Sequence, residues 1–166
     1  MQRTAHTFIA AALLAAAAAA NAGTVDVQFI NANKFVDAGT SQWDEKDNIR
    51  LIGAYLQALG QRYLPADQAM KIEVLDVDLA GTVQMSRRDA TLVRVVKGRT
   101  DYPRITLRYS LQDAGGRVLR TGEEAVVDLD FAHGLPHGRD YSGLYYEKHM
   151  LQAWFRQRFV EQQAAN

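Results

Sequence analysis

Cysteine is absent from this sequence of 166 residues. That excludes disulfide bonds, thiol catalysis and every zinc site built on thiolates. A fold made from this chain must be held by its core and its hydrogen bonds. Surplus charge is also missing, since 19 basic residues balance 19 acidic ones. A nearly neutral chain has no global attraction to nucleic acid, and charge excludes that class of partner. No phosphate-cradling glycine loop occurs, and Ser142 lies in RDYSGL, which lacks the G-x-S-x-G nucleophile elbow.

Long apolar runs are absent except near the N-terminus. There Arg3 supplies a positive start, Phe8 to Ala20 is apolar, and Ala20-Asn21-Ala22 gives a small-x-small pattern. Together these are the three parts of a secretory leader. A bilayer span needs roughly 20 uninterrupted apolar residues, and this run is shorter and alanine-rich. Residues 1–22 are therefore expected to be a signal peptide cut between Ala22 and Gly23. Export from a Gram-negative cell places the product in the periplasm, not spanning the membrane once cleaved. Gly23 stands where a lipid-anchored protein carries its cysteine, so a soluble product is expected. Residues 23–166 form one expected domain, long enough to bury roughly 68–70% of its unfolded surface.

Along that domain, Val25, Val27 and Phe29 alternate with polar residues and predict a strand. Residues 31–40 read as a loop. Ser41 is placed to cap a helix whose first turn holds Asp44 and Glu45, and Ile52, Tyr55, Leu56, Leu59 and Tyr63 form its apolar stripe. Pro65 ends it. Residues 71–79 (KIEVLDVDL) predict a strand whose alternation changes phase at Val74-Leu75, the mark of a bulge or of burial on both faces. Residues 82–90 are polar, and 91–96 read as a short strand. Ile105, Leu107, Tyr109 and Leu111 form the inward face of the clearest strand. Asp113-Ala114-Gly115-Gly116 turns it. A return strand is expected over 118–131, with Ala125, Val127, Leu129 and Phe131 inward and Glu124, Val126, Asp128 and Asp130 outward. Residues 133–140 (HGLPHGRD) read as a loop, and a last helix runs from about Ser142 to Glu161, with Leu144, Leu151, Trp154, Phe155 and Phe159 on its apolar face. The order predicts an α+β fold: a two-layer, antiparallel-rich sheet of four or five strands, with both helices on one face.

VQFINANKFVDAG at 27–39, DVDLAG at 76–81, YPRITLRYSLQDAGGRVLRTGEE at 102–124 and YEKHMLQAWFRQRF at 146–159 resemble the secreted bacterial family catalogued as domain of unknown function 3016. The resemblance covers nearly all of the expected domain. It implies a signal peptide and a periplasmic domain, and it implies no activity, so it assigns no catalytic residue.

Three constellations suggest chemistry. Asp76 and Asp78 share a strand face and read as a carboxylate pair for acid/base work or a cation site or, more simply, as caps of loop amides around Ala80-Gly81 or partners of arginines. His133 and His137, with Asp130, can form a metal site, although an H-x-x-x-H spacing aligns ligands only on a helix and Gly134 and Pro136 oppose one. His149 reads as a surface residue. Arg87, Arg88, Arg94, Lys97 and Arg99 form a basic segment opposed only by Asp89 and Asp101. It reads as a patch for an anionic envelope partner, or as arginines paired internally, with Arg104 and Arg108 facing Glu123, Glu124 and Asp128 across the hairpin. Tyr102, Tyr109, Tyr141, Tyr145 and Tyr146 sit at core or rim spacing.

The function expected is therefore a non-enzymatic binding or accessory module of the cell envelope, without a cofactor, acting on an unknown envelope protein or anionic component. The alternative is a metal-binding protein or metal-dependent hydrolase using residues 128–140. Mass spectrometry of the exported product is expected to give an N-terminus within a residue or two of Gly23; a chain still beginning at Met1 and extracted with membranes overturns the leader.

Overall fold

The computed structural model describes residues 23–98, 100–131 and 144–161. The expected leader and the His133–His137 loop lie outside the described residues. The elements run β1 (Thr24–Phe29), α1 (Gln42–Tyr63), β2 (Gln68–Asp78), β3 (Thr82–Met85), β4 (Leu92–Val95), β5 (Arg104–Asp113), β6 (Val118–Val127) and α2 (Tyr145–Arg156), with a single 3-10 turn at Ala32–Lys34 and a π turn at Gln157–Glu161 after α2. Four strands form the main sheet in the order β1-β2-β5-β6. β1 lies parallel to β2, and the other two pairs are antiparallel. β3 and β4 form a separate two-stranded hairpin. The architecture is α+β, as the element order predicts. The added strand is β3, whose TVQM sequence is too short and polar to show a period.

Local chemistry accounts for α1. The Ser41 hydroxyl accepts from the Asp44 amide at 3.3 Å, and Asp44 and Glu45 stand in the positively polarised first turn. Gly60, inside this helix, costs roughly 1 kcal/mol in propensity against alanine. Packing explains it: a Cβ there would lie 2.0 Å from Val25 Cγ2, so glycine is what lets α1 rest on β1. The bulge expected in β2 is present as a register shift between Val74 and Asp76. It keeps Val74 and Val77 both buried, although they stand three apart.

Ile72, Val74, Ile105 and Leu107 on β2 and β5 are fully buried against Ile52 and Leu56 of α1 and Leu151 and Phe155 of α2. Two polar contacts join the helices across the core edge. Gln152 accepts from the Tyr55 hydroxyl at 3.3 Å and donates to the Tyr63 hydroxyl at 3.1 Å.

The facing of β6 corrects the sequence expectation. Val126 is buried, whereas Ala125, Val127 and Leu129 are exposed; only Phe131 keeps its expected inward place. Register is the reason. Leu107 pairs with Glu124 and Ile105 with Val126, and directly opposed residues share a face. The even-numbered residues therefore meet the helices. Glu124, expected outside, accepts from the Tyr109 hydroxyl at 3.1 Å, Trp154 Nε1 at 3.4 Å and Arg158 Nε at 3.0 Å. Gly122 makes room, since a Cβ would meet the Tyr109 ring at 2.8 Å. Trp154 of α2 and Arg158 of the π turn that follows it thus convert the inner side of an edge strand into a polar seam.

Truncating Leu107 to alanine is expected to cost about 2–5 kcal/mol, and Thr106→Ala, on the opposite face, about 1 kcal/mol or less. Denaturant unfolding of both variants checks this; equal costs overturn the inward assignment of Leu107.

Candidate functional site

The β3–β4 hairpin is joined to the domain by few contacts. Arg94 on β4 grips Asp37 with both terminal nitrogens, each at 2.9 Å, and Nη1 also donates to the Gly81 carbonyl at 3.3 Å. Such a bidentate, half-buried pair fixes orientation as well as distance. The Gly81 amide donates to the Asp101 carbonyl at 2.9 Å and closes the base of the hairpin. Asp37 itself bridges to Asp78 at the end of β2.

Held this way, β4 overhangs the starts of both helices and encloses a cleft of about 870 Å³. Trp43, Asp44 and Asn48 of α1, Leu92 and Arg94 of β4, and Tyr145 to Glu147 of α2 contribute to its walls. The walls are unevenly solvated. Trp43 is 82% exposed and Leu92 55%, whereas Glu147 is 3% exposed. Asp44 is committed within its own loop, accepting from the Thr40 amide at 2.7 Å and the Thr40 hydroxyl at 2.9 Å.

Glu147 is the buried acid of this site. Its Oε1 accepts from the Ala80 amide at 2.8 Å, tying the first turn of α2 to the chain as it leaves β2. Burial pushes its carboxyl above the usual range, opposed by the Ala80 amide and by the charge of Arg94. Sequence reading missed this residue. It sits inside the YEKHM stretch, where it looks like an ordinary exposed helix glutamate.

The basic segment divides. Arg94 is spent on Asp37, not on the acidic strand at 123–130. Arg87 and Arg88 stand exposed in the turn between β3 and β4, and Lys97 is exposed just past β4. Arg99 lies outside the described residues. Arg104 pairs with Asp78 at 3.1 Å. Arg108 reaches Glu73 at 2.9 Å and, as expected, Glu123 at 3.8 Å; Glu124 points to the other face. The Arg108 hydrogen bond holds the Glu73 carboxyl below its ordinary range. Glu73, Arg108 and Glu123 border a depression of about 430 Å³ on the open sheet face, a ladder of solvated, mutually paired charges. Asp78 pairs with an arginine, as the simpler reading expected, whereas Asp76 takes an amide remote from Ala80-Gly81. Asp76 Oδ1 accepts from the Val36 amide at 2.9 Å, and Asp78 holds Arg104.

Of the metal candidates, His133 and His137 lie outside the described residues, and Asp130 is exposed one residue before Phe131. Among the described residues no group of three potential ligands comes together. His149 is a surface residue, with Nδ1 3.7 Å from Asp128. Tyr145 and Tyr146 stack edge to face at 5.8 Å on the cleft wall, and Tyr109 is core.

The fold and cleft define an α+β domain with a hairpin mounted over its two helix starts. The family model described as Protein of unknown function (DUF3016) matches residues 23–157, and the chain belongs to that family. No curated protein sequence matches significantly. Among solved structures, a minor lipoprotein from Acinetobacter baumannii shares 13% identity over 88% of this chain and 94% of that one, at a TM-score of 0.30. A likeness of that size carries no argument about this chain.

Glu147 binds a proton more tightly folded than unfolded. Its contribution to stability is therefore greatest at low pH and is lost as pH rises through the raised value. Glu147→Gln keeps an acceptor for Ala80 and removes the titration. Relative to that variant, the native protein is expected to gain stability as pH falls from neutrality toward the ordinary glutamate range. Denaturant midpoints of both proteins across that range check it, and a constant difference overturns it.

Proposed function

We propose that this chain is a non-enzymatic binding or accessory module of the bacterial periplasm, and that its contact surface is the cleft under the β3–β4 hairpin. The leader-like segment at 1–22 supports the compartment, because apolar character of that length with a small-x-small end suits export and cleavage. Among the described residues no helix is long and apolar enough to cross a membrane.

The observation that carries the reading is Trp43. Its indole is 82% exposed on the wall of a cleft that also holds half-exposed Leu92. Exposed single apolar residues are common, but an indole and an aliphatic side chain lining one concavity have the composition of a binding hot spot. Asn48, Thr40 and Ser41 supply a polar border, the arrangement that fixes the orientation of a bound segment. The occupant that suits these walls is an apolar or aromatic side chain of a partner protein, with Trp43 packing on its face.

Photo-crosslinking in living cells tests this. A photoreactive residue replacing Trp43 is expected to give one discrete periplasmic adduct. The same residue replacing exposed Ala58, further along α1, is expected to give none. Equal adducts at both positions, or none at Trp43, overturn the reading.

A further inference from the structure

Apart from Leu92, which also lines the cleft, the far end of the hairpin carries chemistry that the cleft does not use. Met85 and Leu92 form the last cross-strand pair before the turn and are 67% and 55% exposed. Val93 follows at 37%. Between the strands the chain turns tightly on itself. The Ser86 amide donates to the Thr91 carbonyl at 2.7 Å, and the Ala90 amide to the Ser86 carbonyl at 3.1 Å. Asp89 turns its carboxylate back onto this loop, accepting from the Thr91 hydroxyl at 2.7 Å and the Thr91 amide at 3.3 Å. The turn therefore satisfies its own polar groups. Arg87 and Arg88 are exposed there, and among the described residues neither forms an ion pair. With Asp89 counted, the turn is net positive by one charge.

We propose that this tip is an interfacial anchor that docks on an anionic lipid surface. Aliphatic and thioether side chains flanking the turn of the hairpin suit the acyl boundary. Guanidinium groups beside them match the depth and geometry of lipid phosphates, on which arginine binds bidentately. Shape separates a membrane from the other anionic partners. The hairpin stands outside the main sheet and its turn is exposed, so it can enter a fluid interface, whereas a folded protein partner must offer it a matching hollow. A polysaccharide would call for a stacking aromatic, and residues 85–93 contain none. Arg94, at the base of β4, is spent on orienting the projection. The anchor shares Leu92 with the cleft, but Met85, Arg87 and Arg88 lie outside the cleft lining and do not rest on the cleft partner proposed above.

The test is sedimentation of the exported protein with vesicles of phosphatidylcholine alone and with phosphatidylglycerol added. Binding is expected only to the anionic vesicles, and it is expected to fall between about 0.1 M and about 1 M salt, as the screening length drops from about 10 Å to about 3 Å. Arg87→Glu/Arg88→Glu is expected to weaken it by roughly tenfold or more, with an unchanged melting temperature. Met85→Ser is expected to weaken it severalfold without changing its salt dependence. Trp43→Ala is expected to bind vesicles like the native protein, which separates this anchor from the cleft. Absence of native binding, binding indifferent to the Arg87/Arg88 reversal, or a lowered melting temperature in that variant overturns the proposal. So does retention on an anionic polysaccharide that needs Arg87 and Arg88 when vesicles do not bind.

Discussion

The inner face of β2 and β5 is covered by α1 and α2, and every other feature depends on that contact. Ile72, Val74, Ile105 and Leu107 reach zero exposure only because Leu56, Leu151 and Phe155 lie over them. No covalent cross-link assists, since the chain has no cysteine. Gly60 shows how closely the layers must approach, because one methyl group there would collide with Val25. Apolar burial is non-directional, so this contact settles where the layers lie and leaves orientation to polar groups.

Those polar groups concentrate at one end of the sheet. Glu147 anchors the start of α2 to Ala80, one residue before the chain leaves for β3. Arg94 clamps the returning β4 to Asp37, and Asp78 holds Arg104 as β5 begins. The result is a hairpin that is mounted rather than packed: its base is fixed by a few directed bonds, and Met85, Leu92 and Val93 stay in water. The cleft and the projecting tip follow from that mounting. Among the described residues Arg87 and Arg88 form no ion pair, whereas Arg94 meets Asp37.

The opposite seam, around Glu124, solves another problem. An edge strand leaves part of its inner face beyond the helices. There Glu124 collects Tyr109, Trp154 and Arg158, so that the border of the core is hydrogen-bonded rather than oily. A carboxylate in such a place is tolerable because several donors meet it and water still reaches it.

Much of this is written locally. The cap at Ser41, the stop at Pro65, the phase change at Val74-Leu75 and the alternation of Ile105 to Leu111 act through neighbours a few residues away, and each was legible from the chain. That Arg87 and Arg88 belong to a basic segment was legible too, but not that they stand in an exposed turn. The inward side of β6 was not, because Ala125, Val127 and Leu129 imitate a buried face, and only pairing with β5 reveals Glu124 and Val126 as the true one. Nor could spacing show that Arg94 would find Asp37, 57 positions earlier, or that Glu147 would meet Ala80, 67 positions away. The sequence by itself determined the elements, their polarity and the absence of covalent ties, because these rest on short-range sterics and periodicity. The tertiary structure alone decided which charges are spent and which are free, because a charge is neutralised by whatever the packing of the layers brings within hydrogen-bond reach.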